Sequence, residues 1–109
     1  MARGHLPDND PQKKVIQNFI QLYNETYHLD KQFPINTHSG YAWDAISIVA
    51  DALRKAGTDP KALRAAIEGT KGYVGVSGIY NLSPEDHNGL APDSMVIIQV
   101  KDGKFELAK

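Results

Sequence analysis

Apolar residues recur at helical spacing in three stretches of the chain and give way to shorter β-like stretches after them. The first stretch begins at Asp10-Pro11, where the aspartate can accept hydrogen bonds from free backbone N–H groups and proline suits the first helical position. Its apolar residues are spaced by one, three or four, which predicts an amphipathic helix over residues 11–27. These residues are Val15, Ile16, Phe19, Ile20, Tyr23 and Tyr27.

A second and more apolar helix is predicted after an extended connector. Thr37, His38 and Ser39 precede this helix, and it runs to about Lys55. Apolar residues cover more than half of its circumference, which is typical of a helix buried on two sides. They are Ala42, Trp43, Ala45, Ile46, Ile48, Val49, Ala52, Leu53 and Ala56. The rest of the chain offers too few partners for both sides, so we expect a parallel sheet upstream in the complete protein.

The remaining elements are a short helix and several β segments. Asp59-Pro60 repeats the helix-start signal, and the third helix is expected to stop near Gly69. The predicted β segments are 73–76, 78–82, 94–101 and 104–107, with Asp102-Gly103 as a hairpin turn between the last two. This chain is therefore predicted to be α+β, with three helices followed by a small antiparallel β unit.

Composition restricts the classes of function. The chain has 109 residues, of which 41% are hydrophobic and 23% charged, the balance of one soluble domain or a piece of one. Twelve basic and thirteen acidic residues leave no positive excess to neutralise phosphates, so nucleic acid is not an expected partner. The absence of cysteine excludes disulfides and cysteine nucleophiles. The first residues lack the apolar core of a signal peptide, so either the protein is cytoplasmic or a leader lies upstream.

The polar clusters give no catalytic or metal-binding arrangement. No two histidines have the i, i+4 spacing that places two imidazoles on one helix face. Glu85, Asp86 and His87 are the basis of a rival hypothesis, a small enzyme with a carboxylate–histidine dyad. No activated nucleophile accompanies them, and a solvated loop with an Asx-type turn explains them better. We expect no catalytic residue, no metal and no cofactor.

Glycine and polar residues mark two further features. Gly72, Gly75 and Gly78 recur at every third residue, which predicts a bent strand crossing that another element approaches closely. The run from Thr37 to Tyr41 lies at a helix N-terminus, where free N–H groups and the helix dipole favour an anionic group such as a carboxylate. An N-cap with a packed tyrosine explains the same run, so residue chemistry leaves both interpretations open.

Four stretches, taken in order, resemble the C-terminal part of type I periplasmic solute-binding proteins of bacterial ABC transporters, the leucine/isoleucine/valine-binding group. Residues 6–13 and 19–23 resemble the family's post-hinge segment and its F-x-x-x-Y helix. Residues 40–45 and 50–57, GYAWDA and ADALRKAG, resemble its GYDA…ADAL-KAG helix, with Trp43 as an insertion. Residues 75–80 resemble its GVSG crossing strand, and residues 96–105 resemble its terminal V-x-x-x-V-K-D-G-K-F hairpin.

The resemblance implies an α/β parent protein of two lobes, joined by three hinge crossings, that clamps its ligand between them. Residues 1–109 would be its C-terminal fragment. Residues from about 11 to 70 would form the helical part of the first lobe. Residues from about 71 to 109 would form the hinge crossing and the terminal hairpin of the second lobe.

The function implied by the resemblance is that of a non-enzymatic, extracytoplasmic solute-binding component of an ABC transporter. It would bind a branched-chain or related amino acid, or another small carboxylate, by lobe closure and deliver it to an ABC permease. The expected location is the periplasm, with the signal peptide outside this chain. The alternatives are a sensory ligand-binding domain of the same fold, and binding of aromatic acids, because residues 86–90 resemble relatives that take them.

The resemblance also implies a site. The loop before the second helix lines the cleft in relatives, often through an aromatic side chain. His38 occupies approximately that position, with Ser39, Gly40 and Tyr41 beside it, so these four are the candidate ligand-binding residues. For the isolated chain we expect self-association, because the apolar faces of the first two helices would lack their partners.

Overall fold

A computed structural model of the protein describes residues 6–28 and 31–108. In chain order its elements are α1 (Pro11–Gln21), α2 (Thr37–Ala56), α3 (Pro60–Glu68), β1 (Tyr73–Val74), β2 (Ile79–Tyr80), β3 (Ile98–Lys101) and β4 (Lys104–Leu107). The predicted order of three helices followed by antiparallel strands is confirmed. The β part differs from the expected single unit, because among these residues β1 and β2 form one two-stranded sheet and β3 and β4 form another. Within the described ranges no helix is long and apolar enough to cross a membrane.

Polar side chains fix the start of each helix. Asp10 accepts a hydrogen bond from the backbone N–H of Gln12 at 2.8 Å, and Asp59 accepts one from the N–H of Ala62 at 2.9 Å. These two predicted starts are confirmed. The start predicted for α2 is wrong, because Asn36 caps this helix and pairs reciprocally with Ser39. Residues 37–39, which we expected to precede α2, form its first turn instead.

The first helix is shorter than its apolar spacing predicts. It ends at Gln21, and a π-helical turn over Leu22–Thr26 replaces its last predicted turn. A π turn holds one more residue than an α turn, so it rotates the residues that follow around the helix axis. As a result Tyr27, which the spacing assigned to the apolar face, is 59% exposed.

In the described residues two apolar clusters form the core, and they include Val76 of the segment that joins β1 to β2, here called the crossing, and Tyr80 of β2. In the first cluster, Ile16 and Phe19 of α1 are buried with Val76, and the Phe19 ring lies 5.5 Å from the Trp43 ring between centroids. In the second cluster, Ile48 of α2 is buried with Tyr80 and Leu82. Full burial of a large apolar side chain stabilises a fold by about 1.5–3 kcal/mol, so both clusters hold α2 against the crossing.

The predicted two-sided burial of α2 is only half realised in the described residues. Ile48 and Ala52 face the core, whereas Ile46 is 65% exposed and Leu53 is also exposed. The hairpin of β3 and β4 is exposed along its whole length. Its register places Ile98 opposite Leu107 and Val100 opposite Phe105, so these four apolar side chains share one face. The described part of the chain therefore carries two uncovered apolar surfaces.

Three of the four predicted β segments are shorter than predicted, whereas the segment at 104–107 is confirmed as β4. Those predicted at 73–76 and 78–82 shrink to Tyr73–Val74 and Ile79–Tyr80, because the chain between them turns where Gly75 N–H donates to the carbonyl of Gly78 at 2.9 Å. The strand predicted from residue 94 begins at Ile98, after a 3-10 turn over Pro92–Ser94. The turn at Asp102-Gly103 is confirmed by positive φ angles at both residues, 50° and 74°.

The carboxylate of Asp44 lies at the centre of the crossing. The Asp44 side chain comes from α2, and the residue is 1% exposed. Its Oδ1 accepts from the N–H of Val76 at 2.7 Å, and its Oδ2 accepts from the N–H of Ser77 at 2.8 Å and from the hydroxyl of Tyr80 at 3.2 Å. A buried carboxylate is stable only when such donors replace water. Asp44 is therefore the polar link between α2 and the crossing.

Glycine at two crossing positions makes these contacts possible. A Cβ atom on Gly75 would lie 2.7 Å from the Cγ of Asp44, and one on Gly78 would lie 2.7 Å from Cδ2 of Leu90. The predicted close approach is confirmed at these two glycines. It is wrong at Gly72, which has open space beside it and a φ of 61°.

We predict that Asp44→Ala lowers the free energy of unfolding by about 3 kcal/mol, because it leaves the buried N–H of Val76 and the partly buried N–H of Ser77 without an acceptor. Urea denaturation followed by circular dichroism measures this change. Asp51→Ala is the matched control on the same helix, since the ion-pair partner of Asp51 in the described residues is Arg54 at the surface. Its effect should stay below about 1 kcal/mol. Equal effects of the two substitutions would contradict the central role of Asp44.

We further predict that Gly75→Ala is destabilising in the wild type and much less so in the Asp44→Ala background. The added methyl group collides with the Asp44 carboxylate, and removing that carboxylate makes room for it. A double-mutant cycle of unfolding free energies measures the coupling, which should exceed about 0.5 kcal/mol. Additive changes in unfolding free energy would mean that Gly75 and Asp44 do not interact.

Stability should fall at alkaline pH because of Tyr80. Burial, and next the charge of Asp44, raise the pKa of Tyr80 to about 12, whereas the unfolded value is about 10. The folded state therefore keeps a proton that the unfolded state loses, so this contribution is complete below about pH 10 and disappears as the pH rises toward 12. Unfolding free energies measured across this range should fall more steeply for the wild type than for Tyr80→Phe. The unfolding free energy of Tyr80→Phe should still fall somewhat with rising pH, because burial also raises the pKa of Tyr73.

Candidate functional site

The first turn of α2 carries all four sequence-predicted ligand residues, but only two of them are presented to solvent. Ser39 Oγ accepts from the N–H of Asn36 at 3.1 Å and donates to the Asn36 carbonyl at 2.7 Å, so this hydroxyl is committed to the cap. Gly40 is buried, whereas His38 and Tyr41 are exposed. Ser39 and Gly40 build the turn, and His38 and Tyr41 are the side chains that can reach a ligand.

His38 and Tyr41 are three residues apart and therefore neighbours on the helix surface. In the described residues no acceptor is recorded for the backbone N–H groups of Thr37 and His38, as is usual in a first helical turn. Two amide donors, an imidazole and a phenol ring thus lie together at the positive end of the α2 dipole. This set suits a carboxylate attached to an apolar or aromatic group.

The candidate turn lies on the same helix as the polar link to the crossing. Asp44 follows Tyr41 by three residues on α2, and its carboxylate accepts from the hydroxyl of Tyr80 in β2. The candidate turn and the crossing are therefore connected through α2.

The loop after β2 forms the compact turn that the sequence favours over a catalytic dyad. Asp86 Oδ1 accepts from the N–H groups of Asn88 at 2.9 Å and Gly89 at 3.0 Å, so the predicted Asx-type turn is confirmed. These two donors hold the pKa of Asp86 below its usual value. The hydroxyl of Ser83 closes the other side of the loop by accepting from the N–H of Asp86 at 3.0 Å.

His87 pairs with a residue outside its own loop. Its Nε2 lies 3.1 Å from Oε1 of Glu68, which also accepts from Nε of Arg64 at 2.7 Å. The hydrogen bond from Arg64 is the main cause that lowers the pKa of Glu68. Within the described ranges, His87 bonds to Glu68, whereas the carboxylates of Glu85 and Asp86 accept from Ser83, Asn88 and Gly89, so the carboxylate–histidine dyad postulated among residues 85–87 does not form.

Two grooves lie away from the first turn of α2. One of about 390 Å³ runs between α2, α3 and β1 and is lined by Asp51, Lys55 and Lys71 among others. The second, of about 300 Å³, lies on α3, where Leu63 and Ile67 form an apolar floor. Neither groove includes His38 or Tyr41. In the part of the chain that the structure describes, no group of three side chains is arranged to hold a metal ion.

Sequence reasoning missed the two residues that support the site, Asp44 and Asn36. The sequence feature that could have identified Asp44 is a single acidic residue among the apolar positions of the second helix. The signal for Asn36 was an asparagine three residues before Ser39, which is the spacing of a reciprocal cap.

The fold of the chain has counterparts among known proteins. The model of the family described as periplasmic binding protein matches residues 1–104. A solved extracellular ligand-binding receptor from Rhodopseudomonas palustris is 29% identical, with a TM-score of 0.77 over 100% of this chain and 32% of that one. Another, from Rhodopseudomonas palustris HaA2, is 26% identical, with a TM-score of 0.73 over 98% of this chain and 31% of that one. No curated protein sequence matches the chain.

These matches confirm the family resemblance of the sequence and the fold expected from it, a fragment of a type I periplasmic binding protein. The chain spans about a third of the length of the solved structures that it matches. On the family match over nearly its whole length, the chain belongs to the periplasmic binding protein family.

Proposed function

We propose that this chain is the C-terminal part of an extracytoplasmic solute-binding protein that serves an ABC permease and has no enzymatic activity. The observation that carries the proposal is the family match over residues 1–104. The similar solved structures are described as extracellular ligand-binding receptors, which supports ligand binding outside the cytoplasm. Ligand binding would favour the closed arrangement of two lobes and so signal occupancy to the permease.

We propose the lobe boundary near residue 71. The buried clusters and Asp44 pack α1 and α2 together against the crossing. This packing supports the assignment of residues 11–70 to the first lobe. The hairpin of β3 and β4 is exposed along its whole length, which supports its assignment to the other lobe. Residues 71–109 would then comprise the hinge crossing and the end of the second lobe.

The ligand class that suits the first turn of α2 is a small carboxylate. The free N–H groups of Thr37 and His38 favour an anion, and the exposed rings of His38 and Tyr41 offer contact to an apolar or aromatic body. A branched-chain or related amino acid is our first assignment, and an aromatic acid is the alternative. A sensory domain of the same fold would use this turn in the same way.

We predict that His38→Ala and Tyr41→Ala each weaken ligand binding by about tenfold or more, as for contacts at the centre of a binding site. The measurement is isothermal titration of the whole two-lobed protein with branched-chain amino acids and aromatic carboxylates. Lys14→Ala, an exposed residue of α1, is the control and should bind like the wild type. Unchanged affinity in both variants would remove this turn from the ligand site.

The uncovered apolar surfaces support our proposal that the isolated chain self-associates. They lie on α2 and on the hairpin, where Ile46 is 65% and Phe105 is 79% exposed. The apolar residues of α1 that we expected to contribute are largely covered, because Ile16 and Phe19 are buried in the core.

We predict that the 109-residue chain forms dimers or larger species, because association removes apolar surface from water. Sedimentation velocity over a range of concentrations measures this. Ile46→Lys or Phe105→Ser should shift the distribution toward monomer, whereas Lys104→Ser on the polar hairpin face should not. A clean 12.0 kDa monomer at high concentration would contradict the prediction.

A further inference from the structure

Two dipeptides of the chain have the sequence that favours succinimide formation, Asn88-Gly89 and Asp102-Gly103. In both, the backbone nitrogen of the glycine can attack the side-chain carbonyl carbon of the residue before it. Glycine favours this attack because it carries no side chain to hinder the approach. In an unfolded chain the asparagine reacts faster than the aspartate, because ammonia leaves from the amide more readily than hydroxide leaves from a carboxylate.

The structure holds the Asn88-Gly89 step in a conformation that opposes this reaction. The attacking atom, the backbone nitrogen of Gly89, donates its proton to Oδ1 of Asp86 at 3.0 Å. The Gly89 carbonyl accepts from the N–H of Asn81 at 2.8 Å, and Leu90 pairs with Tyr80. A hydrogen-bonded amide beside a carboxylate is harder to deprotonate, and a glycine held by bonds to both its N–H and its carbonyl resists the rotation that would bring its nitrogen toward Cγ of Asn88.

The Asp102-Gly103 step has no comparable restraint. Both residues are exposed at the tip of the hairpin, and a Cβ atom on Gly103 would meet nothing within 4 Å. For the Gly103 N–H, no acceptor is recorded among residues 6–28 and 31–108. The glycine nitrogen is therefore free to approach the Asp102 carboxyl group.

We propose that Asp86 protects Asn88 from deamidation, and that in the folded chain Asp102 consequently converts to isoaspartate before Asn88 does. At Asp102 the bond between the Gly103 nitrogen and Cγ forms, and one water molecule leaves to give the succinimide. At Asn88 the same attack by the Gly89 nitrogen releases ammonia. Water then opens either ring at one of its two carbonyl groups, and opening at the backbone carbonyl gives isoaspartate.

The protected step lies where a modification would disturb the crossing. Isoaspartate at position 88 adds one carbon to the backbone directly before Gly89. That addition would break the pairing of Gly89 with Asn81 and of Leu90 with Tyr80, and Tyr80 is bonded to Asp44. At position 102 the added carbon lies in an exposed turn, where no buried contact depends on it.

The test is peptide mapping by mass spectrometry after incubation of the full 109-residue chain at neutral pH, with and without urea. In urea, Asn88 should react before Asp102. In the folded wild type, Asp102 should react first. In folded Asp86→Ala, deamidation at Asn88 should accelerate by about tenfold or more, the factor expected when a hydrogen bond to a charged group is lost.

Glu85→Ala is the matched control, because Glu85 bonds to the Ser83 hydroxyl and leaves both Asp86 acceptor bonds in place. It should not change the rate at Asn88. Circular dichroism and amide exchange at residues outside the loop separate loss of protection from global unfolding of Asp86→Ala. Deamidation of folded wild type at the rate seen in urea, or an unchanged rate in Asp86→Ala, would overturn the proposal.

Discussion

A buried carboxylate with three donors is the interaction on which the rest of the structure depends. The crossing between β1 and β2 turns so tightly that the amides of Val76 and Ser77 have no strand to pair with, and they point at α2. Asp44 supplies the acceptors from that helix, and the Tyr80 hydroxyl completes the set. The requirement is mutual, because the carboxylate can be buried only where these donors replace water.

The residue types around Asp44 follow from this contact. Gly75 has no side chain because the carboxylate occupies the space that a Cβ would need. Both apolar clusters include residues next to the polar link, Val76 in one and Tyr80 in the other, and the Asp44 carboxylate is buried. The crossing is thereby tied to α2, the helix whose first turns carry His38 and Tyr41.

The distribution of apolar surface is consistent with membership of a larger assembly. The solved structures that resemble this chain are about three times as long, and the chain covers 32% and 31% of them. Uncovered apolar residues occupy one side of α2 and one face of the terminal hairpin. Such surfaces are rare on monomeric proteins and mark places where another part of a protein packs. Under our proposal, the remainder of the two lobes covers them.

The sequence by itself determined the features that depend on neighbouring residues. The Asp-Pro starts of α1 and α3, the Asp102-Gly103 turn and the Asx turn at Asp86 each arise within a few residues, so their chemistry is visible in the chain. The family could also be predicted, because several ordered stretches carried the resemblance together. Tertiary structure decided the rest. Asp44 finds its partners 32 to 36 residues later in the chain, and His87 reaches back 19 residues to Glu68. The exposed side of α2 and the position of Tyr27 likewise depend on which elements pack together, which apolar spacing within one helix does not specify.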